Sequence, residues 1–490
     1  MKASVNNGDS EVSRRRFLIG TAKTAVGAVV GGGFSNLALA DSPTRVSLQA
    51  APGQVRLVPE PYNETKVWCY NGTVPGPEIR IRQGDRLKVE FENGLDEETT
   101  IHWHGVRLPN AMDGVPHLTQ KPVSPGEKFI YEFDAIDAGT FWYHPHQRGF
   151  EQVGRGLYGP LIIEEREPVQ VDRDITWILD DWRLKKTAEI SDDFGNAHDM
   201  SHNGRVGNTV TINGQIPDNI TVQSGERVRI RLINAANARI FELDFADHNP
   251  VIIALDGQPV TPHVPTNTRV ILGPAMRIDL ILDMGGAPRS RSVVSDVFYK
   301  DLEYQLVDLQ YADVALRDEL PDWPMALMPN PLTEPSNVQA IQHEIQFTGG
   351  MMGNMVMRQM GIDSGNSQSG GMGSMMGMMH KKKMWFINGI AAEGHVMDPM
   401  LTLERNRSYI IKMINATAWH HPIHLHGHSF RVLSRDGVST PYQEWQDTVL
   451  MGPREQVEIA LVADNPGDWM FHCHILEHMI GGMMGVIRVT

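Results

Sequence analysis

Three stretches of this chain repeat one layout, and that repetition limits the possible fold more tightly than anything else in the sequence. Residues 71–93 run from Asn71-Gly72 through Val74-Pro75-Gly76-Pro77 and Gly84-Asp85-Arg86-Leu87 to Phe91-Glu92-Asn93. Residues 213–234 return to it with Asn213-Gly214, Gly225-Glu226-Arg227-Val228 and Leu232-Ile233-Asn234. Residues 388–415 do so again with Asn388-Gly389, Leu403-Glu404-Arg405-Asn406-Arg407 and Met413-Ile414-Asn415. Between turns rich in Gly, Pro and Asn, each copy alternates apolar and polar residues, the mark of strands with one buried face. A unit of about 150 residues written three times predicts an all-β chain of three β-sandwich domains. The 490 residues are 41% hydrophobic and 21% charged, which excludes a disordered or collagen-like chain. A formal charge of -15 argues against nucleic acid or anionic lipid as a partner.

The repeat also frames the chemistry. Nine residues after Asn93 comes His102-Trp103-His104, and nine after Asn415 comes His424-Leu425-His426. Nine after Asn234 the middle copy has Leu243-Asp244-Phe245, without the histidines, so that copy reads as a spacer. The closing segments match too, Gly139 to His144-Pro145-His146 in one copy and Gly467 to His472-Cys473-His474 in the other. Residues i and i+2 of a strand share a face, so each His-x-His sets two imidazoles side by side. A lone histidine is more often structural than a ligand, but four pairs at equivalent places in a repeated fold point to a metal cluster. Cys473 faces away from its flanking histidines. His478 follows it by five residues and Met483 follows His478 by five, while His421 precedes the His424/His426 pair. One thiolate, two imidazoles and a weak thioether describe a blue-copper electron-transfer site. Cys69 has no partner but Cys473 and reads as a buried small residue.

Together these motifs resemble the four copper motifs of three-domain multicopper oxidases, over nearly the whole chain after residue 40. The resemblance implies cupredoxin-like domains at 41–165, 166–325 and 381–490, with a linker and methionine-rich insert over 326–380. It implies four coppers: type 1 on His421, Cys473, His478 and Met483, type 2 on His102 and His424, and a type 3 pair on His104, His144, His146, His426, His472 and His474. It further implies one-electron oxidation of a substrate at type 1 copper, coupled to four-electron reduction of dioxygen to water. Asp113, eleven residues after His102, resembles the family's acid beside the cluster. Where related copper-efflux oxidases carry an acid just after the type 1 histidine, this chain has Met479.

Residues 351–379 hold ten of the 26 methionines, among them Met351, Met352, Met355, Met357 and Met360. The glycines argue against a helix here, the stretch is too polar for a core, and soft thioethers select Cu(I). It resembles the insert of periplasmic cuprous oxidases, with one departure. Those enzymes place an acid and a Met before the type 1 histidine, where this chain has Thr417 and Trp419. The leading expectation is therefore a cuprous oxidase in copper tolerance. A laccase-like oxidase of phenols or Mn(II) is the alternative, and a non-catalytic copper buffer comes third. At the start, Ser13-Arg14-Arg15-Arg16-Phe17-Leu18 and a small-residue site at Ala38-Leu39-Ala40 read as a twin-arginine (Tat) export signal over 1–40. Lys23 and the glycines leave that stretch too short of apolar length to span ~30 Å, so no stable membrane anchor is expected. A periplasmic monomer exported through the Tat translocon is the expectation.

Overall fold

The computed structural model describes residues 42–362, 383–394 and 398–490. The expected leader lies outside them, as do Met372, Met375, Met376, Met378 and Met379. The strands pair into six sheets, two for each repeat, and so form three β-sandwiches. In every repeat the opening strand lies parallel to the one that ends in Asn93, Asn234 or Asn415: Val46 is opposite Val89, Ile175 opposite Ile230, and Ile345 opposite Met413.

Two asparagines in each repeat account for the layout. Asn71, Asn213 and Asn388 hold φ of 50, 52 and 51°, the left-handed turn conformation that asparagine tolerates. Their Oδ1 atoms accept from backbone N–H groups of the opening strands, at Gln49, Ile178 and Gln346. The second asparagine, at 93, 234 or 415, is fully buried. Its Nδ2 donates to two backbone carbonyls, one of them four or five residues on: Glu97, Arg239 and Trp419. A buried amide with its hydrogen bonds met fixes the loop that follows. That loop sets where the next strand begins, and in the outer repeats that strand carries His-x-His.

Two expectations need correction here. Strand Ile341–Gly349, inside the expected linker, is the opening strand of the third sandwich. The methionine insert separates it from Asn388 and hides the match with the other repeats. Helix Gly353–Gln359 also forms where glycines were expected to forbid one. Its only glycine is the first residue, and the Met, Arg and Gln that follow are good helix formers.

A buried ionic network ties the middle sandwich to the first. Arg229, Arg231 and Asp279, each 1% exposed, meet Glu165, with Arg229 Nη2 2.6 Å from both carboxylates. Thr140 Oγ1 donates to Asp279 at 2.6 Å. Thr140 belongs to strand Gly139–His144, so these charges hold the strand that ends in a site histidine. Removing one partner of such a network leaves buried charge uncompensated. Arg229→Ala is expected to lower stability by about 3–5 kcal/mol, measured by guanidinium unfolding.

Candidate metal centre

Antiparallel pairing sets His102 opposite His144 in the first sandwich and His424 opposite His472 in the third. The two sandwiches meet at these histidines. The His104 and His424 rings stack at 3.8 Å between centroids, and His102 and His426 at 4.0 Å. Three groups of buried histidines result, each with ligand nitrogens within 4.8 Å of one another: His102/His104/His424, His104/His144/His474 and His146/His426/His472. Gly105, which follows the first pair, has φ of 83°, and a side chain there would strike Arg277 and Asp447.

Burial, and after it the neighbouring imidazoles, push His104, His146, His426 and His474 well below the usual histidine range. Burial likewise lowers His144 and His424, and brings His472 down to about 3. At neutral pH these rings are uncharged and each offers one lone pair. Hydrogen bonds decide where. His472 Nδ1 donates to the Cys473 carbonyl at 2.9 Å, and His426 Nδ1 faces the Asp113 carboxylate at 2.9 Å. Both partners accept, so the two lone pairs stand on Nε2, and these atoms face each other across 3.1 Å. A cation between them turns that repulsion into coordination. His102 and His424 behave alike: each Nδ1 meets a backbone carbonyl, of Asp113 or Asp447, and each Nε2 is buried without a partner. Such donor sets fit resident metal ions, and imidazole suits copper.

The Cys473 group is a second, separate set. His478 Nε2 donates to the His202 carbonyl at 2.6 Å. His421 Nε2 donates to Thr417 Oγ1 at 2.8 Å, whose own proton goes to Asn415. Both lone pairs therefore stand on Nδ1, 3.1 Å apart and 3.5 and 3.7 Å from Cys473 Sγ. Burial pushes the Cys473 thiol up and His478 down to about 3. The Met483 side chain is fully buried in the core cluster that also contains Cys473. Thr417 is thus a buried partner of His421, and Trp419 lies beside the methionine segment, its Nε1 donating to the Met351 carbonyl at 3.1 Å. Met351, Met357 and Met360 are half-buried there, while Met352 and Met355 are exposed.

Sequence reasoning found Asp113 but missed its counterpart. Asp113 bridges the outer repeats, with Oδ1 3.3 Å from His102 Nδ1 and Oδ2 against His426. Asp447 does the same on the other side, its Oδ1 3.3 Å from both His104 Nε2 and His424 Nδ1. Although burial works the other way, the Arg277 guanidinium holds Asp447 well below the usual carboxylate range. Arg277 is fully buried, reaches Asp447 with contacts of 2.8 and 2.6 Å, and belongs to the middle repeat. The expectation of a mere spacer is therefore corrected: the middle sandwich supplies charge to the wall of the site. No histidine spacing marks Asp447, and Arg277 lies 170 residues from it, so only the fold brings them together.

Family models described as multicopper oxidase match residues 53–168, 173–293 and 372–490. Multicopper oxidase MmcO of Mycobacterium tuberculosis is 30% identical over 446 residues, covering 84% of this chain and 81% of that protein. The chain belongs to the multicopper oxidase family. The crystal structure of a multi-copper oxidase from Pseudomonas thermotolerans superposes with a TM-score of 0.79 at 36% identity, covering 92% of this chain and all of that one. Copper resistance protein A of Escherichia coli is 25% identical, covering 98% of this chain and 99% of that protein. This multicopper oxidase is an oxidoreductase that uses dioxygen as acceptor and four coppers, one type 1, one type 2 and two type 3. Partners that orient ligating histidines affect metal affinity or activity about 10- to 100-fold. Arg277→Ala is expected to cost a loss of that size in turnover or in copper retained by the histidine cluster. Copper analysis and the visible spectrum, with the band from the Cys473 set unchanged, check it.

Proposed function

We propose that this multicopper oxidase is a cuprous oxidase acting in periplasmic copper tolerance. In this reading His421, Cys473, His478 and Met483 hold type 1 copper, and His102 and His424 hold type 2 copper. His104, His144, His146, His426, His472 and His474 hold the type 3 pair. When bound, the four coppers supply one-electron oxidation of substrate and four-electron reduction of dioxygen to two waters. Cys473 joins the two donor sets covalently, because its own backbone continues into His472 and His474. Asp113 keeps a carboxylate against His102 and His426, suited to holding a proton beside the cluster.

The observation that carries the Cu(I) substrate is the seating of the methionine segment. The Met351 N–H donates to the Ser201 carbonyl at 2.9 Å and its carbonyl accepts from Trp419, one residue before His202 on one side and two before His421 on the other. Thioethers anchored at that place favour a soft monovalent ion over a hard one. The likeness to copper resistance protein A supports the same reading. The twin-arginine segment supports export to the periplasm. One observation favours phenols instead: a cavity of about 260 Å³ lined by Phe298, Tyr299, Trp419, His420 and Ile475.

Oxygen uptake by the copper-loaded protein tests the choice. With Cu(I) as reductant, one O2 should disappear for every four ions, and Cys473→Ser should abolish both turnover and the blue absorption. Changing Met351, Met352, Met355, Met357 and Met360 to Leu should raise KM for Cu(I) about tenfold, roughly 1.4 kcal/mol, while a dimethoxyphenol is oxidised as before. A protein that turns over the phenol but not Cu(I) would be laccase-like.

A further inference from the structure

Two histidines that no copper motif claims stand immediately outside His478. His198 and His202 are four residues apart at the short helix Ala197–Ser201, and their rings stack at 4.3 Å with planes 9° apart. His202 Nδ1 donates to the His198 carbonyl at 3.0 Å, with Ser201 Oγ at 2.9 Å, so its lone pair stands on Nε2. The His198 side chain is 79% exposed, with Nδ1 3.8 Å from Asp199 Oδ1. The backbone of His202 is also the cover of His478, because its carbonyl takes the Nε2–H of that fully buried ring. A reductant arriving from solvent on this side meets the His202 imidazole, and the chain leads from that ring through its own carbonyl to His478.

The surroundings match a soft cation. The Trp419 ring lies 5.3 Å from the His202 ring, edge-on at 64°. The Met351 backbone is held against both elements, its N–H donating to the Ser201 carbonyl and its carbonyl accepting from Trp419 Nε1. We propose that His198 and His202, with the Met351 thioether, form the docking site for Cu(I). Imidazole and thioether together select a soft ion and offer little to Ca2+ or Mg2+, which take oxygen ligands. Each bound Cu(I) gives up one electron and leaves as Cu(II). Four such electrons and four protons convert one O2 to two waters. Turnover at this site rests on the cuprous-oxidase reading above, whereas binding does not.

The test compares copper-loaded wild type with H198A/H202A, which keeps the His202 carbonyl. Ag(I), a redox-inert ion of the same charge and softness, is titrated calorimetrically, and oxygen uptake is followed with Cu(I). The variant should bind one equivalent of Ag(I) fewer, and its kcat/KM for Cu(I) should fall about tenfold or more. Its visible spectrum should stay as in the wild type. His263→Ala, at a half-buried histidine stacked on Tyr442, should change none of these. If H198A/H202A loses its visible band, H198A alone, on the exposed ring, carries the same comparison. Unchanged Ag(I) stoichiometry and unchanged Cu(I) kinetics in the variant would overturn the proposal. Loss of the Ag(I) site in a protein whose wild type oxidises no Cu(I) would uphold the site and reject the cuprous-oxidase reading.

Discussion

Two buried imidazole nitrogens that turn their lone pairs toward each other across 3.1 Å repel one another, and a cation held by both relieves that repulsion. His426 and His472 are in that position, and much of the molecule keeps them there. Asp113 and the Cys473 carbonyl fix the two tautomers. Asn415 ties down the loop leading into the His424/His426 strand, and Asn93 does so for His102 and His104. Buried neutral histidines packed ring on ring are a poor core. Left without metal, the orphaned nitrogens of His102, His104, His424 and His474 cost about 1–3 kcal/mol each. Copper binding and the close packing of the first sandwich on the third are in this sense one equilibrium.

The same argument explains why a domain without ligands is needed. A buried cluster of metal cations calls for nearby negative charge, and Asp113 and Asp447 provide it on opposite sides. A carboxylate held ionised in a dry wall needs its own counter-charge, or burial protonates it. For Asp447 that partner is Arg277, and Arg277 is set in turn by Asp256 of the same sandwich. Thr140, Asp279 and the Arg229/Arg231 pair repeat the device one strand away, holding the end of the His144 strand. The middle sandwich keeps the electrostatics of a site to which it gives no ligand.

How much of this was legible follows from what a linear pattern can carry. The three sandwiches and the converging histidines were readable because a repeat reports equivalent positions directly, and His-x-His reports a shared face. Asp113 was readable through its distance from His102 and the resemblance. Asp447 and Arg277 were not, since their roles arise from contacts between domains with no local period. The strand Ile341–Gly349 was hidden for a simpler reason: an insertion broke the spacing by which the other opening strands are recognised. The helix Gly353–Gln359 was missed because glycines counted over the whole insert masked a short run free of them.

The two ways into the Cys473 set are chemically different, and that difference bears on the proposed substrate choice. His478 is sealed by a backbone carbonyl, so an organic donor on that side cannot hydrogen-bond to the ligand itself, whereas a metal ion needs only an imidazole and a thioether outside the seal. On the other face, Ile475 lines the aromatic cavity and its N–H points at Cys473 Sγ at 3.4 Å, which brings a phenol-sized space close to that sulfur. The methionines stand at the first entrance. Trp419 belongs to both, lining the cavity while its Nε1 donates to the Met351 carbonyl.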